Sequence, residues 1–325
     1  MKNFILTTLF IMGFAVSAFA APVANAGSDM TVMVGEAIRL NGSASTGYKS
    51  ESQTDGTWSI RWQTGDGYDV ENIIKCPHVY TAPGVYTATL TVKDALGVIS
   101  VSSIRVTAVN IPVATGSNVQ TLTDSGNPET NKANLQAAVN RAATNPATNE
   151  ILIPAGFVFN DALILPARTS TNYVTIRVAD LSTLPANTRV TAGDKAKLFT
   201  MNMRGAPASG YNSALEFKYG TQYYRIIGME IRKTVSEVFT NMIDSGYNGD
   251  FYTPNVNHVI IDRSLFDGNN FEVRNGIIMN AENMSVLNSS ILNIKAAGYE
   301  TKAISSYSGG RSFSGCELST RSRFH

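Results

Sequence analysis

Apolar and polar residues alternate in three stretches of the first third of the chain, 31–34, 85–92 and 99–106. A period of two predicts strands with one buried face. Asn41-Gly42, Gly65-Asp66-Gly67, Pro83-Gly84 and Ala95-Leu96-Gly97 fall between them as turn signals. Short strands so spaced over about 90 residues predict a β-sandwich. The period then changes. Leu135, Ala138, Val139 and Ala142 recur every three or four positions, so a helix is expected over 130–145, capped by Thr130 or Asn131.

Beyond the helix the pattern becomes repetitive. Ile226-Ile227-Gly228-Met229-Glu230-Ile231, Ile260-Ile261-Asp262-Arg263-Ser264-Leu265 and Val286-Leu287-Asn288-Ser289-Ser290-Ile291 share two apolar residues, three mostly polar ones and a final apolar residue. Aligning Ile227, Ile261 and Leu287 gives steps of 34 and 26 residues. A second ladder aligns Met242-Ile243-Asp244, Ile277-Ile278-Met279 and Ala303-Ile304-Ser305. Further strands are expected at 150–153, 174–178, 214–217 and 223–231. Repeats of this length built from short strands predict the coils of a solenoid, whose long face can grip a polymer.

The first 20 residues stand outside this pattern. Lys2, an apolar run over 4–16 and Ala18-Phe19-Ala20 make a secretory signal peptide, cleaved after Ala20. The apolar run is short for a membrane anchor. Charge excludes little more: 21–117 hold 6 basic and 8 acidic residues, 118–325 hold 19 and 17. Neither part is a nucleic-acid surface. Cys76 and Cys316 make no disulfide framework, and Cys76 reads as a small buried residue. No zinc spacing, nucleophile elbow or phosphate loop is present.

Two resemblances sharpen the picture. Trp62-Gln63-Thr64-Gly65-Asp66-Gly67, His78-Val79-Tyr80-Thr81-Ala82-Pro83-Gly84-Val85-Tyr86 and Leu90-Thr91-Val92-Lys93-Asp94-Ala95-Leu96-Gly97 closely resemble the PKD domain, with Thr64 where that family usually has Phe. Trp62, Tyr80 and Tyr86 are expected in its core, His78 in a structural role, and Asp66 and Asp94 as turn residues. The Ala-rich helix followed by Ile151-Leu152-Ile153-Pro154-Ala155-Gly156 resembles the start of right-handed parallel β-helix proteins of the pectate-lyase-like superfamily, where the helix covers the open first coil. The expected fold is therefore all-β: an Ig-like PKD sandwich over 21–109, a linker over 110–117, and over 118–308 the N-terminal part of a right-handed parallel β-helix solenoid with a capping helix. Residues 309–325 are rich in Ser and Arg and look like neither a rung nor a cap. The ladder degrades there, so a truncated or frame-shifted chain is expected.

The resemblance implies a secreted protein, extracellular or periplasmic with the cell surface as a further address, that binds or degrades polysaccharide. The enzyme version is a lyase or glycoside hydrolase; the alternative is a non-catalytic adhesion protein. Polysaccharide or cell-surface glycan is the expected partner, with no nucleic acid, no membrane span and a monomeric state. Asp262, Arg263, Asp267 and Arg274 are the candidate catalytic residues, because polar positions between apolar ones should face outward and such folds use carboxylates and Lys or Arg there. Ordinary turn and surface roles are the competing reading. Calcium is a candidate cofactor at Asp66, Asp69 and Glu71, against a simple Gly-Asp-Gly turn. Tyr211, Tyr223, Tyr224, Tyr247, Phe251 and Tyr252 are candidates for stacking on sugar rings. Asn269, Asn280, Asn288 and Asn293 read as structural turn residues that tolerate the left-handed conformation.

Overall fold

The computed structural model describes residues 21–48, 59–204, 213–235, 239–245, 256–279, 281–297, 300–305 and 317–319. The alternating stretches form the sandwich as expected. Strands Gly84–Lys93 and Ile99–Val109 pair antiparallel at the centre of a five-stranded sheet, and Ala37–Asn41 pairs with Lys75–Val79 opposite. Trp62, Cys76, Tyr80 and Leu90 are fully buried between the sheets, with Tyr86 packed against them. Asp94 Oδ1 accepts from the backbone N–H of Leu96 and Val98, both at 2.9 Å, and so closes the expected turn.

The later strands form three parallel sheets, and the chain visits them in rotation. Circuits run through strands Asn149–Ile153, Val158–Asn160 and Leu163–Leu165; then Val174–Val178, Phe199–Met203 and Leu215–Phe217; then Gln222–Ile227, Met229–Lys233 and Phe239–Asp244; then Asn257–Asp262, Leu265–Asp267 and Val273–Ile278; then Glu282–Leu287, Ser290–Leu292 and Lys302–Ser305. Each strand pairs with its counterpart one circuit away. Ile151, Ile176, Ile226, Ile261 and Val286 consequently stack in register as one row of the core.

This register corrects the alignment read from the sequence. Ile226 pairs with Ile261, and Ile261 with Val286, so the steps are 35 and 25 residues. In the second ladder Ile243, Ile277 and Ile304 align, instead of Ile278 at the middle. The fourth circuit slips by one residue in both ladders because it carries three consecutive apolar residues, Val259-Ile260-Ile261 and Ile277-Ile278-Met279. A slip of one exchanges the inward and outward faces of a strand. The expected strand over 223–231 is likewise two strands, broken at Gly228, where φ is +79° and the chain turns from the first sheet to the second.

The helix spans Pro128–Thr144 and buries Leu135, Ala138, Val139 and Ala142 against the first circuit, as the spacing predicts. Its cap is Asn127, not Thr130 or Asn131: Asn127 Oδ1 accepts from Glu129 N and Thr130 N, and Pro128 needs no partner at the first position. Asn131 is buried and covers a sheet edge instead. Its Nδ2 donates to Val158 O at 2.8 Å, and Gln136 exchanges two hydrogen bonds with the Ile164 backbone, at 2.8 and 3.0 Å. Strand Val119–Thr121 pairs with Asn149–Ile153. Each of the three sheets thus has its first edge covered by a different device.

Two segments depart from expectation. Ile111, in the expected linker, is buried with Ala37, Val79, Tyr173, Ile260 and Leu287 where the sandwich meets the first sheet. The tail read as atypical contributes a strand, Glu317–Ser319, with Leu318 beside Val286. Within the described residues, no helix is long and apolar enough to cross a membrane.

Candidate functional site on the outer face of the second sheet

In the second sheet Phe159, Met201, Ile231 and Phe266 align and fill the core. Residues one position away therefore point to the other face. One such row is Asn160, Asn202, Arg232 and Asp267; the adjacent row includes Thr200 and Glu230. Hydrogen bonds link the first row from circuit to circuit. Asn160 Nδ2 donates to Glu129 Oε1 of the helix at 2.9 Å, Asn202 Nδ2 to Asn160 Oδ1 at 3.2 Å, and Arg232 Nη2 to Asn202 Oδ1 at 3.0 Å. Asn202 and Arg232 stay partly exposed. Arg204 stands at the helix end of the row and pairs with Glu129 and Asp161.

The other end of the row is closed by a strap. Strands Val174–Val178 and Phe199–Met203 are joined by residues 179–198, where later circuits turn within one or two residues. The strap is tied at several points. Leu184 O accepts from Arg263 Nη1 at 2.6 Å, Val190 N donates to Asn288 O at 2.9 Å, and Ser290 Oγ donates to Val190 O. Thr191 and Asp194 form a capping box that orients the turn carrying Lys195. Lys195 Nζ lies 2.7 Å from Asp267 Oδ2 and 3.5 Å from Glu230 Oε1. Glu230 is 1% exposed and accepts from Thr200 Oγ1 at 2.9 Å.

These contacts decide what the acids can do. Burial raises the Asp267 carboxyl, but hydrogen bonds from Lys195, Asn293 and Asn269 outweigh it and hold the group below the ordinary carboxylate range. The Asp267 bond, against burial, holds the Lys195 ammonium above its usual range. A general acid needs a raised carboxyl and a general base lysine a lowered ammonium; both groups are shifted the other way, and their contact ties the strap to the second sheet.

Three of the four expected catalytic residues are not on an exposed surface, and Arg274 is half-buried. Asp262, Arg263 and Asp267 are 5%, 5% and 3% exposed. Asp262 Oδ2 accepts from Arg263 Nε at 3.0 Å, its Oδ1 accepts from Asn288 Nδ2 at 3.1 Å, and Arg225 lies 3.7 Å away. Asp262, Asp267 and Arg274 belong to strands of three different sheets. The polar spacing that pointed to them is real, but the strap meets Arg263 through Leu184 O and Asp267 through Lys195, and Arg274 stands apart on the third sheet. Glu230 and Lys195 were missed: Glu230 reads as an ordinary polar position in the repeat, and Lys195 lies between strands. The long gap from Val178 to Phe199 was the signal for the strap.

The other candidates fall into place by their partners. Asp66, Asp69 and Glu71 do not fit a calcium ion. Asp66 is turned to His78 Nε2 at 2.9 Å and to Thr64, while Asp69 accepts from Arg61 Nε at 2.9 Å. Among the described residues no group of three His, Cys, Asp or Glu could hold a metal. His78 is 3% exposed, as its structural role requires. Tyr224 is buried with its hydroxyl donating to Pro166 O at 3.1 Å, and Tyr223 packs under the sandwich. Tyr211, Tyr247, Phe251, Tyr252, Asn280 and Cys316 lie outside the described residues. Asn269, Asn288 and Asn293 have φ of +46°, +49° and +56°, so they are left-handed turn residues as expected. Asn288 and Asn293 bond carboxylates of the preceding circuit, whereas Asn–Asn bonds between circuits are made elsewhere, by Asn275 Nδ2 to Asn241 Oδ1 at 2.8 Å and by Asn202 to Asn160.

No curated protein matches the chain. A structure of carbohydrate-binding modules from the beta-sandwich super family is 24% identical over 30% of this chain and 38% of that one, with a TM-score of 0.23. The PKD domain from KIAA 1837 protein is 26% identical over 31% of this chain and 99% of its own, with a TM-score of 0.22. A 2,6-sialyltransferase from Photobacterium sp. JT-ISH-224 is 10% identical over 74% of this chain and 41% of that one, with a TM-score of 0.19. The chain thus spans well under half of the first and third of these proteins. A family model described as the PKD domain matches residues 19–109, the span of the sandwich, and these residues are a PKD domain.

Proposed function

We propose that this is an exported glycan-binding protein: a signal peptide over 1–20, a PKD domain, and a right-handed parallel β-helix of the pectate-lyase-like kind, with glycan held along the outer face of its second sheet. The observation that carries the reading is the in-register, hydrogen-bonded row Asn160, Asn202 and Arg232, of which Asn202 and Arg232 stay partly exposed on successive circuits. Parallel strands repeat at about 4.8 Å, so such a row offers regularly spaced donors and acceptors to a polymer lying along the axis. The ion-paired state of Asp262 and Asp267 favours binding without cleavage over the lyase and hydrolase versions.

Affinity electrophoresis of the secreted protein through gels containing different polysaccharides tests the reading, alongside assays for reducing ends and unsaturated uronides. Retardation without product formation is expected. Product formation lost in Asp262→Asn or Asp267→Asn would restore the enzyme reading.

A further inference from the structure

We propose that the outer face of the first sheet holds a small oxyanion, a carboxylate or phosphate group, between Arg225 and Tyr173. This site is separate from the glycan-binding face on the second sheet. Tyr173, Thr175 and Arg177 alternate with the core residues Val174, Ile176 and Val178, so they point outward. On the next circuit Tyr223 and Arg225 face the same way, with Arg225 in register with Thr175. Tyr173 and Arg225 are therefore diagonal neighbours on one face, and each is among the groups that shift the other's ionisation.

Both carry donors without acceptors among the described residues. Tyr173 is 2% exposed, and its hydroxyl is buried with no hydrogen-bond partner. The Arg225 side chain makes no hydrogen bond, and its Nε is closed to solvent. Asp262 lies 3.7 Å from Arg225 Nη2, but its oxygens are already bonded to Arg263 and Asn288. The other acids nearby are likewise engaged, Glu150 by Arg177 and Glu36 by His258 and the Met33 amide. Burial outweighs Asp262 and draws the Arg225 guanidinium below its usual range. Buried donors left in this state are costly. A guanidinium fork beside a phenol hydroxyl supplies what the oxygens of a carboxylate or phosphate accept. Ile111, from the segment after the sandwich, packs with Tyr173, while the Arg225 side chain stays 24% exposed and open to a ligand. Lys132 Nζ is also buried without a partner, but Glu129, Asp161 and Glu216 act on it and would repel an anion. On the second sheet Arg232 already donates to Asn202.

Calorimetric titration of the full chain in chloride buffer with inorganic phosphate and with acetate tests the site. Saturable binding of at least one of them at one site per chain is expected, with a melting temperature that rises with its concentration. The stronger of the two distinguishes a phosphate site from a carboxylate site. Arg225→Gln should abolish binding. Tyr173→Phe should weaken it about tenfold and leave the anion-free melting temperature unchanged, because the hydroxyl it removes has no partner. Saturable binding of neither anion would overturn the proposal, as would undiminished binding in either folded variant. A Tyr173→Phe protein that is less stable without anion would overturn it too, since the hydroxyl would then be satisfied in the free protein.

Discussion

The corner between the first and second sheets shows how much one residue can carry. Gly228, Arg263 and Asn288 follow the aligned residues Ile227, Asp262 and Leu287, and all three have left-handed backbones, with φ of +79°, +47° and +49°. Gly and Asn accept this conformation readily; an arginine is strained in it. Arg263 is held there by Asp262 and by the Leu184 carbonyl. Replacing it with alanine keeps the Cβ and the backbone strain, and leaves a buried carboxylate short of its principal partner. Arg263→Ala should therefore cost about 3 kcal/mol, read as a lower urea midpoint, and pairing it with Asp262→Asn should recover part of that loss. At Gly228 an added Cβ would lie 2.9 Å from Val178 Cγ1 and 3.0 Å from Leu184 Cδ1. Gly228→Ala should destabilise by about 1–3 kcal/mol through both strain and overpacking. A neutral effect in either equilibrium measurement would show that the corner relaxes.

The strap over 179–198 is an element without regular strands, fixed by partners from distant circuits. Its Lys195 sets the charge state beneath it. In the native protein Asp267 sits below its ordinary value, so its contribution is present above about pH 4 and is lost as pH falls through the folded value. In Lys195→Ala burial dominates, and the carboxyl shifts upward. Its contribution is then present below about pH 4 and is lost as pH rises through the new value. The deficit of the variant, measured as a difference in melting temperature, should widen from pH 4 to 8. A constant deficit would mean that Lys195 acts through packing alone.

The whole molecule is joined across an apolar contact that neither domain predicts alone. Tyr173, Tyr223 and His258 occupy matching positions on successive circuits, with Tyr223 and His258 stacked at 4.3 Å. The sandwich closes over them. Glu36 Oε1 lies 3.1 Å from His258 Nε2, and Ser285 Oγ donates to Gly35 O at 2.6 Å. Ile260 is fully buried in this contact. Ile260→Ala should cost about 2–4 kcal/mol and split one calorimetric transition into separate sandwich and sheet transitions. Burial holds His78 and His258 below the ordinary 6.5, with Asp66 opposing the effect at His78. Between the folded values and 6.5 the unfolded chain binds more protons, so stability is complete above 6.5 and declines as pH falls. Glu36, raised chiefly by burial, acts oppositely: its contribution is present below its ordinary value and is lost as pH rises through the folded one. The decline in melting temperature from pH 7 to 5.5 should be shallower in His258→Gln; an unchanged slope would remove His258 from the cause.

The alternation of 85–92 and 99–106, the helical face of Leu135, Ala138, Val139 and Ala142, the turn at Asp94 and the left-handed asparagines were all legible in the sequence. Each depends on neighbours a few residues apart, and local backbone geometry answers to them directly. Three things waited for the tertiary structure. The register of the fourth circuit was ambiguous because Ile260 is apolar for the sandwich and not for the core. Asp262 and Asp267 point outward as their spacing implies, yet are buried, Asp262 among Arg225, Arg263 and Asn288 and Asp267 against Lys195 of residues 179–198. Glu230 and Lys195 meet only there. In each case the deciding partner is far along the chain, Glu36 for His258 or Lys195 for Asp267. A one-dimensional pattern records which way a side chain faces; which distant part of the chain covers that face depends on the packing of the whole.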